Sequence, residues 1–305
     1  MDSVSNEWIF AIFAASGVVA GFFAGLFGIG GGLIMVPVLV YAFTTTGIAP
    51  EHVVAMALGT SMAAIVFSAA QSAYGHCRKG SASIETIRKA APWVVVGVII
   101  GGVIASRIPS LPLLIFVGAF QLFAAVLMLT DVSRLTTLQA LARKNFALRL
   151  FSIAFGGIAA FAGIGGGTLF TPYFKATGME SKLAIGTSAA IGLPVSLAGA
   201  LAYGWQGYGM DLCRWAIGYI NVPALIALVL GTLLTVRLGV AVAHRLPSRA
   251  LASAFAVFLV LNGGHLLYSA LAKSHAATAG HSAPARASVE APNANAGSAR
   301  GSLAN

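Results

Sequence analysis

Apolar residues gather into ten runs along the chain, at 8–27, 33–43, 53–74, 92–106, 111–130, 148–163, 168–174, 183–203, 215–236 and 250–272. Most approach the ~20 residues that a helix needs to cross a bilayer. Two of them, 33–43 and 168–174, are too short to cross alone, and each follows a glycine cluster and contains a proline. From Lys273 onward the chain turns to Ala, Ser, Gly, Asn and Pro without periodicity, which reads as a disordered tail over 273–305.

Composition removes the soluble alternatives. Of 305 residues, 58% are hydrophobic and only 9% charged, with a mean hydropathy of +0.89. A soluble domain carries about 25% charged residues, so this chain could not cover its own surface in water. A cytosolic enzyme, a nucleic-acid binder and a disordered protein are excluded together. The pattern predicts an all-α polytopic membrane protein surrounded by lipid. The net charge of +10 sits in short gaps between apolar runs, where Lys and Arg set orientation rather than bind nucleic acid. Two distant cysteines, Cys77 and Cys213, make neither a disulfide framework nor a zinc site. No Lys or Arg precedes the first apolar run, which makes a poor signal peptide.

The chain repeats itself. Gly28-Ile-Gly-Gly-Gly32 followed by Pro37 returns as Gly163-Ile-Gly-Gly-Gly167 followed by Pro172, an offset of 135. Gly59-Thr60-Ser61 returns as Gly186-Thr187-Ser188, offset 127, and Ala105-Ser-Arg107-Ile-Pro109 resembles Ala243-His-Arg245-Leu-Pro247, offset 138. Three elements in one order imply duplication, with a first half at 1–147 and a second at 148–272. If each glycine motif lay inside one crossing helix, the halves would be parallel and basic residues would split nine inside to six outside. If each motif is instead the tip of a hairpin, the halves are inverted and both termini lie outside. Thirteen basic residues then fall inside, and only Arg107 and Arg214 outside. The positive-inside bias favours the second arrangement, so each half is expected to hold a glycine-tipped broken-helix hairpin and three spanning helices.

Three adjacent glycines break a helix, and lipid cannot satisfy the backbone they free. Such a loop must be buried in protein or line a polar cavity. Glycines also let successive N–H groups converge into a nest for an anion, and the half-helix that follows directs its positive end to the same point. Gly28, Gly30, Gly31, Gly32, Gly163, Gly165, Gly166 and Gly167 are therefore candidate anion-binding positions, with positive φ expected at the central Gly31 and Gly166. Gly17, Gly21 and Gly25, and likewise Gly97 and Gly101, read instead as close-packing positions four apart. The hydroxyls of Thr60, Ser61, Thr187 and Ser188 could donate to a bound oxyanion or bond back to the preceding turn. A dinucleotide loop is excluded, since the third spaced glycine and the downstream acid are both missing.

Other chemistry is thin. His265 could carry a proton but reads better as a hydrogen-bonded core residue, and Lys175 as a side chain snorkelling to an interface. Gln71, Gln121, Asn221 and Asn262 could line a cavity or bond between helices. No Ser-His-Asp or Cys-His set sits at membrane depth, so an enzyme is not expected, nor any cofactor or metal.

The stretch Gly21-Phe-Phe-Ala-Gly-Leu-Phe-Gly-Ile-Gly-Gly-Gly-Leu-Ile-Met-Val-Pro37, with its partner Gly157 to Pro172, resembles the TauE/SafE family of sulfite and organosulfonate exporters. The resemblance covers about residues 10–270. It implies a multi-pass permease of the bacterial inner membrane that moves a small sulfur-containing anion such as sulfite, sulfoacetate or thiosulfate, outward and with possible proton coupling. It carries over to Gly28, Gly30–Gly32, Pro37, Gly163, Gly165–Gly167 and Pro172, with Thr60, Ser61, Thr187 and Ser188 behind them. One departure stands out: Leu33 follows the first cluster and Thr168 the second, so the two nests are unequal and Thr168 joins the candidate site. The partners expected are the anion and membrane lipid, with no nucleic acid; oligomeric state is left open. A passive anion channel is the alternative function, and a non-transporting assembly protein is disfavoured by the short loops.

Overall fold

The computed structural model describes residues 3–27, 30–130, 145–210, 212–213, 215–243 and 248–281. Ten helices dominate them: α1 (Ser3–Phe27), α2 (Gly32–Thr45), α3 (Val53–Arg78), α4 (Ile84–Ala105), α5 (Ser110–Leu129), α6 (Asn145–Ala162), α7 (Gly167–Ala176), α8 (Ser181–Gln206), α9 (Val222–Ala243) and α10 (Ser248–His281). Between α8 and α9 a two-residue ladder, β1 (Ala216–Ile217) and β2 (Ile220–Asn221), pairs Ala216 with Asn221. Eight helices are long and apolar enough to cross a membrane, and α2 and α7 are not. The all-α, multi-pass architecture is thus the one the apolar runs predict.

Two boundaries differ from expectation. The run beginning at 215 opens as a hairpin rather than a helix, because Gly218 turns with φ +57° and Asn221 accepts the Ala224 N–H through its side chain, 3.0 Å, at the start of α9. At the other end α10 continues to His281, past Lys273 where composition placed the start of the tail. Residues 282–305 lie outside the described residues.

Burial sorts the spans into two layers. The apolar windows of α3 and α8 are 83% and 67% buried, whereas those of the other six lie between 33% and 44%. So α3 and α8 form the centre, and the remaining spans wrap them. Outward-facing Ile100, Phe123, Leu201 and Leu234 are exposed, as lipid-facing positions should be. Trp205, Tyr208 and Trp215, all exposed, crowd around the α8–α9 connection, where amphipathic rings suit a membrane interface.

Close approaches at glycine give the helix directions. On α1, Gly21 and Gly25 face Thr232 and Val236 of α9, so the two helices run parallel. Gly97 and Gly101 of α4 face Ile153 and Gly157 of α6, again parallel. Between α3 and α8 the contacts fall in opposite order, Gly59 beside Tyr203, Met62 beside Gly199, Ala69 beside Gly192 and His76 beside Gly186, so these two run antiparallel. By the repeat offsets α3 and α8 are equivalent elements, as are α1 and α6, and α4 and α9. Each contact also has its counterpart: Gly21 meets Thr232 as Gly156 meets Val94. A Cβ on Gly21 would lie 2.6 Å from the Thr232 carbonyl oxygen, which is why this face carries glycine rather than alanine.

Because α3 also runs parallel to α9, with Thr60 beside Asn221 and Gly75 beside Val240, α1 and α3 point the same way. The chain between them must therefore return, and α2 is that return. The glycine cluster is the tip of a hairpin.

Candidate functional site

Each hairpin tip is built by a glycine that no other residue could replace without strain. Gly30 and Gly31 take φ of +77° and +81°, and Gly31 serves as the N-cap of α2. In the second tip the positive φ falls on Gly163, at +63°. Gly166, where it was expected, instead has φ −64° and enters α7 in helical conformation. There Gly163 and Ile164 close the last turn of α6 on the carbonyls of Ala160 and Ala159. Gly28 lies outside the described residues.

The two tips touch. A Cβ on Gly30 would stand 3.0 Å from the Gly165 Cα, and one on Gly32 would strike the Gly163 carbonyl. They meet beside Ile65, midway along α3, while Gly166 rests against Ser188 and Gly192 of α8. Both tip carbonyls are tied to α3, with Ser61 Oγ donating to Gly163 O at 2.9 Å and Ser68 Oγ to Gly30 O at 3.2 Å. The N–H groups are another matter. Among the described residues, those of Gly32 and Leu33, and of Gly165 through Leu169, meet no backbone acceptor. Thr168, 6% exposed, adds a buried hydroxyl without a partner at the start of α7, and Leu33 stands in the matching place on α2.

The threonines of the repeated triplets do different work from that expected. Thr60 Oγ1 accepts the Asn221 N–H at 2.9 Å, and Thr187 Oγ1 accepts the Ser83 N–H at the same distance. Asn221 and Ser83 are themselves the caps that begin α9 and α4. Gly59 and Gly186 let the carbonyls of Tyr219 and Ser81 approach beside them. So each Gly-Thr pair docks the helix start of a neighbouring span, once in each half. This is neither of the two readings given for those hydroxyls. Of the serines, Ser61 holds a tip, and Ser188 shares a hydrogen bond with Thr171 of α7 and donates to Ile185 O.

Two polar residues at the tips escaped the motif reading. Ser68 and Ser72 lie seven and eleven residues after Ser61, on the same face of α3. They line a small pocket beside the tips with Ala24, Gly30, Ala69, Ala189 and Gly192, closed to a water-sized sphere. Ser72 is 2% exposed and its hydroxyl has no partner. The periodicity could have shown them, but lone serines in a span carry no motif. Gln121 reaches in from α5 and donates its Nε2–H to Leu33 O at 3.3 Å. In a regular helix that carbonyl would receive the N–H of residue 37, and Pro37 has none. The glutamine fills the vacancy that the proline makes.

No Lys, Arg, Asp or Glu is buried among the described residues, and no cluster of three metal-ligating side chains occurs there. His265 sits on an exposed face of α10, so it is not the core residue expected. Lys175 is half-buried in the last turn of α7. Cys77 ends α3, while Cys213 lies by Asn221 near its start, at opposite ends of the molecule.

Replacing Thr60 or Thr187 by valine leaves a buried cap N–H without its acceptor. The expected loss is about 1–3 kcal/mol of stability, seen as a lower melting temperature in detergent, with ligand affinity of the folded fraction unchanged. Reduced affinity at unchanged stability would return these threonines to the binding site.

Over residues 13–266 the sequence matches the family described as Sulfite exporter TauE/SafE. A probable membrane transporter protein of Haemophilus influenzae is 33% identical over 247 residues, covering 80% of this chain and 93% of its own. One of Xylella fastidiosa is 30% identical over 73% of this chain and 84% of its own, and the probable membrane transporter YunE of Bacillus subtilis is 24% identical over 86% and 98%. No solved structure matches. With its paired glycine tips inside a multi-pass helical body, the chain belongs to the sulfite exporter TauE/SafE family of membrane transporters, and it is not an enzyme.

Proposed function

We propose that the chain is a secondary transporter that carries a small sulfur-containing oxyanion, sulfite or an organosulfonate, out of a bacterial cell across the inner membrane. One observation carries this reading: two hairpin tips meet beside the middle of α3 with N–H groups that find no backbone acceptor among the described residues, beside the unpartnered hydroxyls of Thr168 and Ser72. Lipid cannot relieve such groups, and an oxyanion can. The candidate positions are Gly30 to Gly32, Gly165 to Gly167 and Thr168, with Ser68 and Ser72 added.

Equivalent helices that run in opposite directions fit halves inverted across the bilayer, with loop 79–83 in the cytoplasm and the residues after Lys273 on the far side. All donors at the site are neutral. Desolvating a second charge there would find no cation to offset it, so a singly charged sulfonate suits the site better than a dianion.

Two experiments bear on this. Purified protein should bind labelled sulfite, with methanesulfonate competing well, sulfate worse and neutral dimethyl sulfone poorly, because a neutral ligand leaves the donors without a charged acceptor. Equal competition by dimethyl sulfone would mean that apolar shape governs entry. For orientation, a reporter active only outside the cytoplasm should be active when fused after Lys273 and silent when fused after Lys79. The reverse result restores halves that run parallel.

A further inference from the structure

We infer that the anion reaches the tips along one face of α3, through a polar route that opens at loop 79–83 and has no counterpart along α8. The inference rests on the transport reading above and adds to it a path, a side and the residues that line it.

Beyond the tip contact, α3 presents Ser68, Ser72 and His76 on successive turns of one face, all buried, with Ser72 in the pocket wall beside Gly30. Gln71 flanks them with a buried amide oxygen that has no partner. The stripe ends where His76 Nδ1 meets Ser81 Oγ at 3.1 Å, and Ser81 Oγ donates back to the His76 carbonyl at 3.0 Å. There the helix gives way to exposed Arg78 and Lys79.

The equivalent face of α8 is built differently. At offset 127 the positions matching Ser68, Ser72 and His76 are Val195, Gly199 and Tyr203. Val195 is fully buried, the Met62 side chain occupies the space beside Gly199, its sulfur 2.9 Å from where a Cβ would stand, and the Tyr203 hydroxyl is spent on Ala160 O at 3.0 Å. That half is sealed by apolar contact and a satisfied phenol.

Polar atoms left without partners inside a membrane protein are costly unless something visits them. Here the Ser72 hydroxyl, on the turn between the tips and the basic end, has no partner, and neither has the amide oxygen of its chain neighbour Gln71, whose N–H groups are the donors it could offer an anion. Hydroxyls and amides can hand an oxyanion from one donor to the next, and the cationic pair at the mouth raises its local concentration. On this account the structure stands closed, with the half facing loop 79–83 ready to open along polar surface and the half facing loop 207–221 needing to unpack an apolar seam.

The test uses the full chain with Cys77→Ser and Cys213→Ser, in vesicles of either orientation, and the impermeant anionic thiol reagent (2-sulfonatoethyl) methanethiosulfonate. Ser72→Cys should react when the reagent is on the side of loop 79–83, at least tenfold more slowly from the other side, and sulfite should slow the reaction. Val195→Cys should stay unreactive from both sides. If Ser72→Cys does not fold, Ala69→Cys in the same pocket wall replaces it with the same expectation. Faster reaction from the side of loop 207–221, or none at all in vesicles that still move labelled sulfite, overturns the route. Vesicles that label from the side of loop 79–83 yet neither bind nor move sulfite would uphold the polar route and refute the anion-transport reading instead.

Discussion

A bilayer offers no partner to a backbone N–H or C=O, and that constraint orders this structure. Regular helices meet it by bonding within themselves. The two places where glycine interrupts them are therefore driven to the centre, where protein atoms can take over. Ser61 and Ser68 accept the task for the tip carbonyls, and Gln121 supplies the bond that Pro37 withholds from Leu33. Among the described residues, what stays unmet there is tip N–H groups and the hydroxyls of Thr168 and Ser72, together with the amide oxygens of Gln71 and Gln121. The proposed anion would take up the donors of that set.

The same constraint explains the repeated Gly-Thr pair. Every helix start leaves N–H groups exposed, and α4 and α9 begin against the flanks of α8 and α3. Thr187 and Thr60 meet those N–H groups, and the glycine before each threonine permits the approach. Each central helix thus anchors two kinds of break, a cap at one level and a tip at another. The antiparallel pairing of α3 with α8 makes the arrangement reciprocal, and it brings the two tips to one point.

Much of this was legible in the sequence. The apolar runs marked the spans, and the duplicated Gly-Ile-Gly-Gly-Gly-x4-Pro element marked both hairpins, because glycine and proline act on local backbone and leave a local signature. What could not be read were the partners. Whether Thr60 faces an anion or a cap depends on Asn221, 161 residues away, and nothing near Thr60 records it. Gly166 looked equivalent to Gly31, yet Gly31 takes a left-handed φ while Gly166 is already helical, a difference that the matching sequence around them does not record. Ser72 is an ordinary serine in an apolar span until a pocket forms beside it, and His265 looked interior only because α10 is apolar nearly all round.

The two tips share a sequence motif but are not alike. The polar additions fall on opposite halves, Thr168 at the second tip against Leu33 at the first, and the Ser72 stripe of α3 against the Gly199 seam of α8. The central claim, that the tip N–H groups are the anion's donors, is tested most directly by the amide resonances of glycine-labelled protein in lipid as sulfite is added. The account predicts downfield shifts at Gly31, Gly32, Gly165 and Gly166, with Gly17, Gly21 and Gly25 of the packing face unmoved. Shifts confined to residues away from the tips, in protein that still binds sulfite, would contradict it.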